Sequence, residues 1–207
     1  MQDIDELIAA NANEQRMARL AGRQFVSSAA EGDLDGMDQF REYLGLGGWT
    51  VAMRGVARLS GIPDVTRRHF LSVWLESGDR IRAAVDDDLV LIAGLRMLLP
   101  PYDGAPMLLY RGEGARNLRR RTYGPSWTKS REMAETFALQ DRWRYTRGGS
   151  VLLETLAPAE AIICASDEFR EEEYLVDRRM LDNVKVLDRY PQLHVAVPSA
   201  EALPVPT

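Results

Sequence analysis

Three adjacent carboxylates, Glu171, Glu172 and Glu173, run directly into the apolar, β-prone segment Tyr174-Leu175-Val176. Side chains alternate along a strand, so a strand here places Glu171 and Glu173 on one face and Glu172 on the other. Two carboxylates on one face can divide electrostatic and acid–base work between them. The alternative is a solvated acidic turn before an ordinary strand, because runs of like charge are commonly surface features.

Two earlier stretches carry groups of complementary chemistry. Leu109-Tyr110-Arg111-Gly112 presents a guanidinium, which makes bidentate charge-assisted bonds to phosphate or carboxylate that a lysine cannot. A structural salt bridge is the alternative for Arg111. Gly112 permits close approach of the backbone to a ligand, or is a plain strand-end glycine. In Ser126-Trp127-Thr128 the two hydroxyl residues alternate onto one face, and Trp127 goes to the other, where core packing is its default role. The segment Trp143-Arg144-Tyr145-Thr146-Arg147 adds aromatic rings and cations to a loop closed by Gly148-Gly149.

The elements that must position these residues fall into two groups. The first half reads helical. Asp3 to about Leu20 carries an apolar stripe of Ile4, Leu7, Ile8, Met17 and Leu20, and the helix breaks at residues 30–33. A second helix is predicted over Asp35–Leu44, closed by Gly45 and Gly47-Gly48. Further helices are predicted over Trp49–Leu59, Thr66–Val85 and Leu89–Leu99. Asp86-Asp87-Asp88 supplies a cap for the last of these, and Pro100-Pro101 stops it.

After the proline pair the texture changes to short strands. These are predicted at Met107–Tyr110, Tyr123–Thr128, Val151–Leu153, Ala161–Ile163, residues 172–177 and Val184–Leu187. One helix interrupts them, Ser130 to Gln140, with Ser130 as its N-cap. Helices first and strands later imply an α+β fold with N-terminal helices and a mixed, mostly antiparallel sheet. The expected organisation is a helical part over residues 1–104 packed on a core at 105–190, then a Pro-rich tail at 191–207.

Composition excludes several classes. Of 207 residues 45% are apolar, enough to build a core rather than a disordered chain. No apolar run approaches ~20 residues, so no membrane span is expected. The first residues are acidic where a signal peptide would be basic, which makes the cytoplasm, or delivery by a route without such a peptide, the expected location. Cys164 is the single cysteine, and the two histidines, His69 and His194, have no second ligand at metal spacing, so no metal is expected. The net charge of −5 hides a local excess. Residues 111–147 hold ten bases against four acids, a surplus that attracts a polyanion such as a dinucleotide pyrophosphate or a nucleic acid.

The ordered set of Arg111-Gly112, Ser126-Trp127-Thr128 and Glu171-Glu172-Glu173 resembles the mono-ADP-ribosyltransferases of the arginine–serine–glutamate type, which include bacterial toxins and effectors and the vertebrate arginine-directed enzymes. The resemblance covers roughly residues 105–190 and is helped by the helix after the serine motif. It departs from many relatives in having Trp127 where they carry threonine. It implies an ADP-ribosyltransferase-type sheet core and NAD as substrate, with no metal. It implies that Glu173 holds the ribose and stabilises the cationic transition state, that Glu171 orients or deprotonates the acceptor, and that Ser126 positions Glu173. Arg111, Gly112, Thr128, Trp143 and Arg144 would contribute to binding NAD, with Phe169 and Glu171 recognising the target. A glutamate at 171 goes with arginine acceptors in that family. The implied partners are therefore a macromolecular acceptor, a protein ahead of a nucleic acid, and an immunity or antitoxin protein. An inactive NAD-binding or interaction module of the same fold is the reading from a different class.

Overall fold

The computed structural model of the chain describes residues 2–85, 87–166 and 172–193, and these belong to two units, Met1–Asp103 and Gly104–Thr207. In the first unit five helices follow one another: α1 (Gln2–Glu31), α2 (Leu34–Arg41), α3 (Gly45–Val56), α4 (Asp64–Val85) and α5 (Asp88–Leu98). Asp33 caps α2 by accepting from the Gly36 amide at 3.0 Å, and Asp87 caps α5 by accepting from Leu89 and Val90. Among the described residues no helix is long and apolar enough to cross a membrane.

Two expectations for this unit are corrected. α1 runs well past Leu20, because Ala18, Ala21, Phe25 and Ala29 continue as its buried stripe. The larger residues Ile4, Leu7, Ile8, Met17 and Leu20 are exposed. Gly47-Gly48 does not close a helix but lies inside α3. A Cβ on Gly48 would sit 2.6 Å from the Ala18 carbonyl oxygen, and one on Gly22 equally close to the Gly48 oxygen. The glycines are used to let α1 and α3 cross with their backbones nearly touching. Phe25, Trp49 and Phe70 then meet edge-to-face, with ring centroids 5.6, 6.3 and 6.4 Å apart. His69 pairs with a carboxylate of the neighbouring helix, its Nε2 3.0 Å from Asp38 Oδ1.

The second unit is built on six strands, β1 (Met107–Gly114), β2 (Ser126–Thr128), β3 (Ser150–Ala157), β4 (Ile162–Ser166), β5 (Glu173–Val176) and β6 (Val184–Tyr190). They form one sheet in the order β4-β5-β2-β1-β3-β6, with every neighbouring pair antiparallel. The α+β class is thus as expected. β1 and β3 pair along their full length, from Met107↔Ala157 to Gly114↔Ser150, and make the sheet's continuous centre. Leu109, Val151, Leu152 and Leu153 are fully buried there.

Three short helices connect the strands: α6 (Ala115–Arg120), α7 (Arg131–Ala138) and α8 (Asp141–Arg144). α6 was not expected from the sequence, being too short and too polar to show a periodic apolar face. It ends on Arg121 in the left-handed conformation, φ 54°. α7 is capped by the Ser130 hydroxyl, which accepts from the Met133 amide at 3.1 Å. Ala134 and Ala138 of α7 lie on Gly112 of β1, where a Cβ would come within 2.8 Å of the Ala138 Cα.

Candidate active site on strands β1, β2 and β5

Strand register fixes which side chains share a face. Glu173 stands directly opposite Thr128 of β2 on one side and Ser166 of β4 on the other, and Thr128 stands opposite Tyr110 of β1. These four residues form one row across the sheet. Ser126, two residues before Thr128, lies on the same face, opposite Leu175. The carboxylate of Glu173 is therefore set among hydroxyl residues, Thr128 and Ser166 beside it and Ser126 one step along. Ser126 is half-buried, and its hydroxyl makes no hydrogen bond among the described residues. The Thr128 oxygen accepts from the Ser130 amide at 3.1 Å, which locks the end of β2 to the start of α7.

The junction of β1 and β2 is the unusual part of the sheet. The two strands share one residue pair, Tyr110↔Thr128, where other neighbouring strands share three or more. Beyond that pair side chains replace the ladder. Arg111 Nη1 donates to the Ser126 carbonyl, and Glu113 Oε2 accepts from the Gly124 amide at 3.0 Å. Arg111 Nε donates to the same Glu113 oxygen at 2.9 Å. Glu113 Oε1 accepts from the Gly114 amide at 2.8 Å and from Asn117 Nδ2 at 3.0 Å. The Glu113 side chain is 0% exposed and that of Arg111 13%. Burial alone would raise the Glu113 pKa. The Arg111 guanidinium and the donors from Gly124, Asn117 and Gly114 outweigh it and hold the carboxyl below its ordinary range.

Arg111 thus makes the structural salt bridge that was one of its two readings, and the pair seals the gap where β1 and β2 part. Its Nη2 makes no bond among the described residues, which leaves one edge of the guanidinium for a ligand. Alternation along β1 points Arg111 to the opposite face from Tyr110, hence from Glu173. The arginine and the glutamate are on nearby strands without sharing a face. Gly112 is buried, and its missing side chain makes room for α7 rather than for a ligand. Trp127 faces away from the Glu173 row into the core, 2% exposed, with Tyr123 edge-on at 5.9 Å.

The acidic run differs from its expected geometry. β5 begins at Glu173, and Glu172 has a positive φ of 43°. Glu172 ends on Lys129, with Oε1 2.8 Å from Nζ. Strand alternation therefore does not extend back through Glu172, and the argument that paired Glu171 with Glu173 on one face fails at that residue. Glu171 and Phe169 lie outside the described residues.

Trp143 and Arg144, expected to contribute to binding NAD, are packed on strand ends. Trp143 of α8 lies on Gly114, where a Cβ would be 3.0 Å from its ring. The Arg144 guanidinium sits 6.0 Å from the centroid of Tyr190, and its Nε donates to the Pro191 carbonyl at 3.3 Å. Cys164 is buried behind Glu173. Burial, and then the Glu173 charge, push its thiol up to about 11. It is a neutral packing residue.

Glu113 is the residue sequence reading missed. Its signal was available, since two strand residues at i and i+2 share a face and an Arg–x–Glu pattern can close on itself. Among the described residues no group of three His, Cys, Asp or Glu side chains is placed to hold a metal ion. No protein-family model matches the chain, and neither a curated protein nor a solved structure matches it.

Proposed function

We propose that the chain is an NAD-dependent mono-ADP-ribosyltransferase, toxin- or effector-like, that transfers ADP-ribose to a macromolecular acceptor and releases nicotinamide. The observation that supports it is the meeting of three stretches remote in sequence. Arg111, Ser126 and Glu173 stand on the adjacent strands β1, β2 and β5, with Glu173 flanked by Thr128 and Ser166. A carboxylate among hydroxyl groups suits a ribose, whose own hydroxyls donate to the first and exchange bonds with the second.

In this reaction the bond between ribose C1 and the nicotinamide nitrogen breaks, and its electron pair leaves with the now neutral nicotinamide. C1 gains oxocarbenium character as the bond lengthens. The Glu173 carboxylate opposes that developing charge, the role such a group has beside a sugar cation in glycosidases. The Ser126 hydroxyl, on the Glu173 face and without a hydrogen bond among the described residues, suits a ribose hydroxyl. The acceptor nitrogen, that of a protein arginine by the family resemblance, bonds to C1 and gives up a proton, the step assigned to Glu171. Arg111 acts by closing the β1–β2 gap that holds Ser126 in place, from the face of the sheet opposite Glu173.

The test compares the full chain with Glu173→Gln in two assays, nicotinamide release from NAD and transfer of labelled ADP-ribose to a polypeptide. Loss of one electrostatic stabiliser of a transition state typically costs roughly 10²–10³ in rate, and that loss is expected in both assays. A variant that releases nicotinamide at the parent rate overturns the reading.

A further inference from the structure

Helix α6 and the turn after α8 form a cleft that the chemistry above does not use. Arg116, Arg119 and Arg120 of α6, with Arg147 and Gly148, line an open cavity of about 570 Å³. All four arginines are exposed, and none forms an ion pair among the described residues. Three other arginines of the same unit are neutralised, Arg111 by Glu113, Arg131 by Asp188 and Arg179 by Asp177. Arg116, Arg119 and Arg120 occupy helix positions i, i+3 and i+4, which share one face and repel when like-charged. The turn adds to the concentration of charge. Gly148 has a φ of 93°, a conformation that favours glycine, and the Arg119 guanidinium lies against this turn, which carries Arg147.

Four guanidiniums lining one cleft, with no ion pair among the described residues, suit an anion with several charges. A dinucleotide diphosphate carries two, whereas a nucleic-acid strand repeats its phosphate along its length. Tyr145, two residues before Arg147, is 47% exposed and offers a ring for base stacking. We infer that this cleft binds the phosphodiester backbone of a single-stranded nucleic acid. The inference does not depend on the NAD reading, because binding is measured without turnover.

The test is fluorescence anisotropy of a labelled ~20-nucleotide oligouridine RNA, longer than common single-strand site sizes, with the full chain and no NAD. Binding is expected to weaken with salt, with a log–log slope of roughly −3 for four single-strand phosphate contacts. Arg119→Glu and Arg147→Glu are exposed changes, with folding checked by circular dichroism. Each should weaken binding roughly ten- to hundredfold, as loss of a charge-assisted bond does, and reduce the slope by about one. Arg189→Glu, an exposed arginine of β6, is the control and should bind like the parent. The inference is overturned by absence of RNA binding, or if the three variants bind alike. It is also overturned if excess NAD displaces the RNA, which would make the cleft a dinucleotide site. Loss of nicotinamide release in Glu173→Gln with RNA binding intact would separate this site from the proposed catalytic one.

Discussion

Removing one half of the Arg111–Glu113 pair should destabilise the sheet-bearing unit by about 3–5 kcal/mol, the usual cost of leaving a buried charge without its partner. The size follows from exposure. Glu113 has 0% of its side chain exposed and Arg111 13%, so neither group recovers much hydration when the other is lost. In Arg111→Met the stranded carboxylate keeps its bonds from Gly114, Asn117 and Gly124, at 2.8, 3.0 and 3.0 Å, which places this variant toward the lower end. In Glu113→Gln the amide group supplies a donor where the pocket already holds donors. At least one of them loses its acceptor at roughly 1–3 kcal/mol, and the Arg111 charge is unpaired as well. Glu113→Gln should therefore be the worse of the two. The double variant removes both charges and should show a coupling of about 0.5–3 kcal/mol. The assay is a urea titration of the full chain read by hydrogen exchange, with peptides from residues 1–103 and 104–207 followed separately. The pH dependence has a definite sign. The folded Glu113 pKa is depressed, so its contribution is complete above the unfolded carboxylate pKa and lost as pH falls through the folded value. Glu113→Gln lacks that component and should lose less stability on acidification than the parent. Single variants within about 1 kcal/mol of the parent, or strictly additive effects, would refute the assignment of this pair as the brace between β1 and β2.

Other perturbations test neighbouring parts of the site. Ser126→Ala should slow nicotinamide release and transfer while leaving the urea midpoint unchanged, since its hydroxyl makes no hydrogen bond among the described residues. Unchanged rates in both assays would assign Ser126 to structure. Gly112→Ala should cost at least about 1–3 kcal/mol, because the added carbon meets backbone atoms of Ala134 and Ala138 that cannot rotate away, and thermal unfolding reads this directly. Cys164, with its pKa raised to about 11, should react slowly with a disulfide reagent at neutral pH until the chain unfolds. Glu173→Gln removes a nearby negative charge and should lower that pKa, so a thiol titration unmoved by the substitution would place Glu173 away from Cys164.

The sequence by itself determined what depends on near neighbours along the chain. Capping by Asp87 and Ser130, the apolar face of α4 through Phe70, Val73, Trp74 and Ile81, and the switch after Pro100-Pro101 all act within a few residues. That is why the order of helices and strands, the α+β class and the placing of Ser126 and Thr128 on one face and Trp127 on the other were legible. Tertiary structure decided everything that needs a partner from afar. Ala18, Ala21, Phe25 and Ala29 of α1, not Ile4, Leu7, Ile8, Met17 and Leu20, became its buried stripe, with the Gly22–Gly48 crossing drawing α3 in close. Arg111 closed on Glu113 because β1 and β2 separate after a single pair, leaving a gap that only charged, hydrogen-bonded side chains could fill. Glu172 left the strand for Lys129, breaking the alternation that three consecutive glutamates had suggested. The arginines of α6 met Arg147 because pairing of β1 with β3, from Met107↔Ala157 to Gly114↔Ser150, returns the chain to the place where α6 begins. A strand pairing brings together residues far apart in the chain, and no local propensity encodes which side chains then face one another.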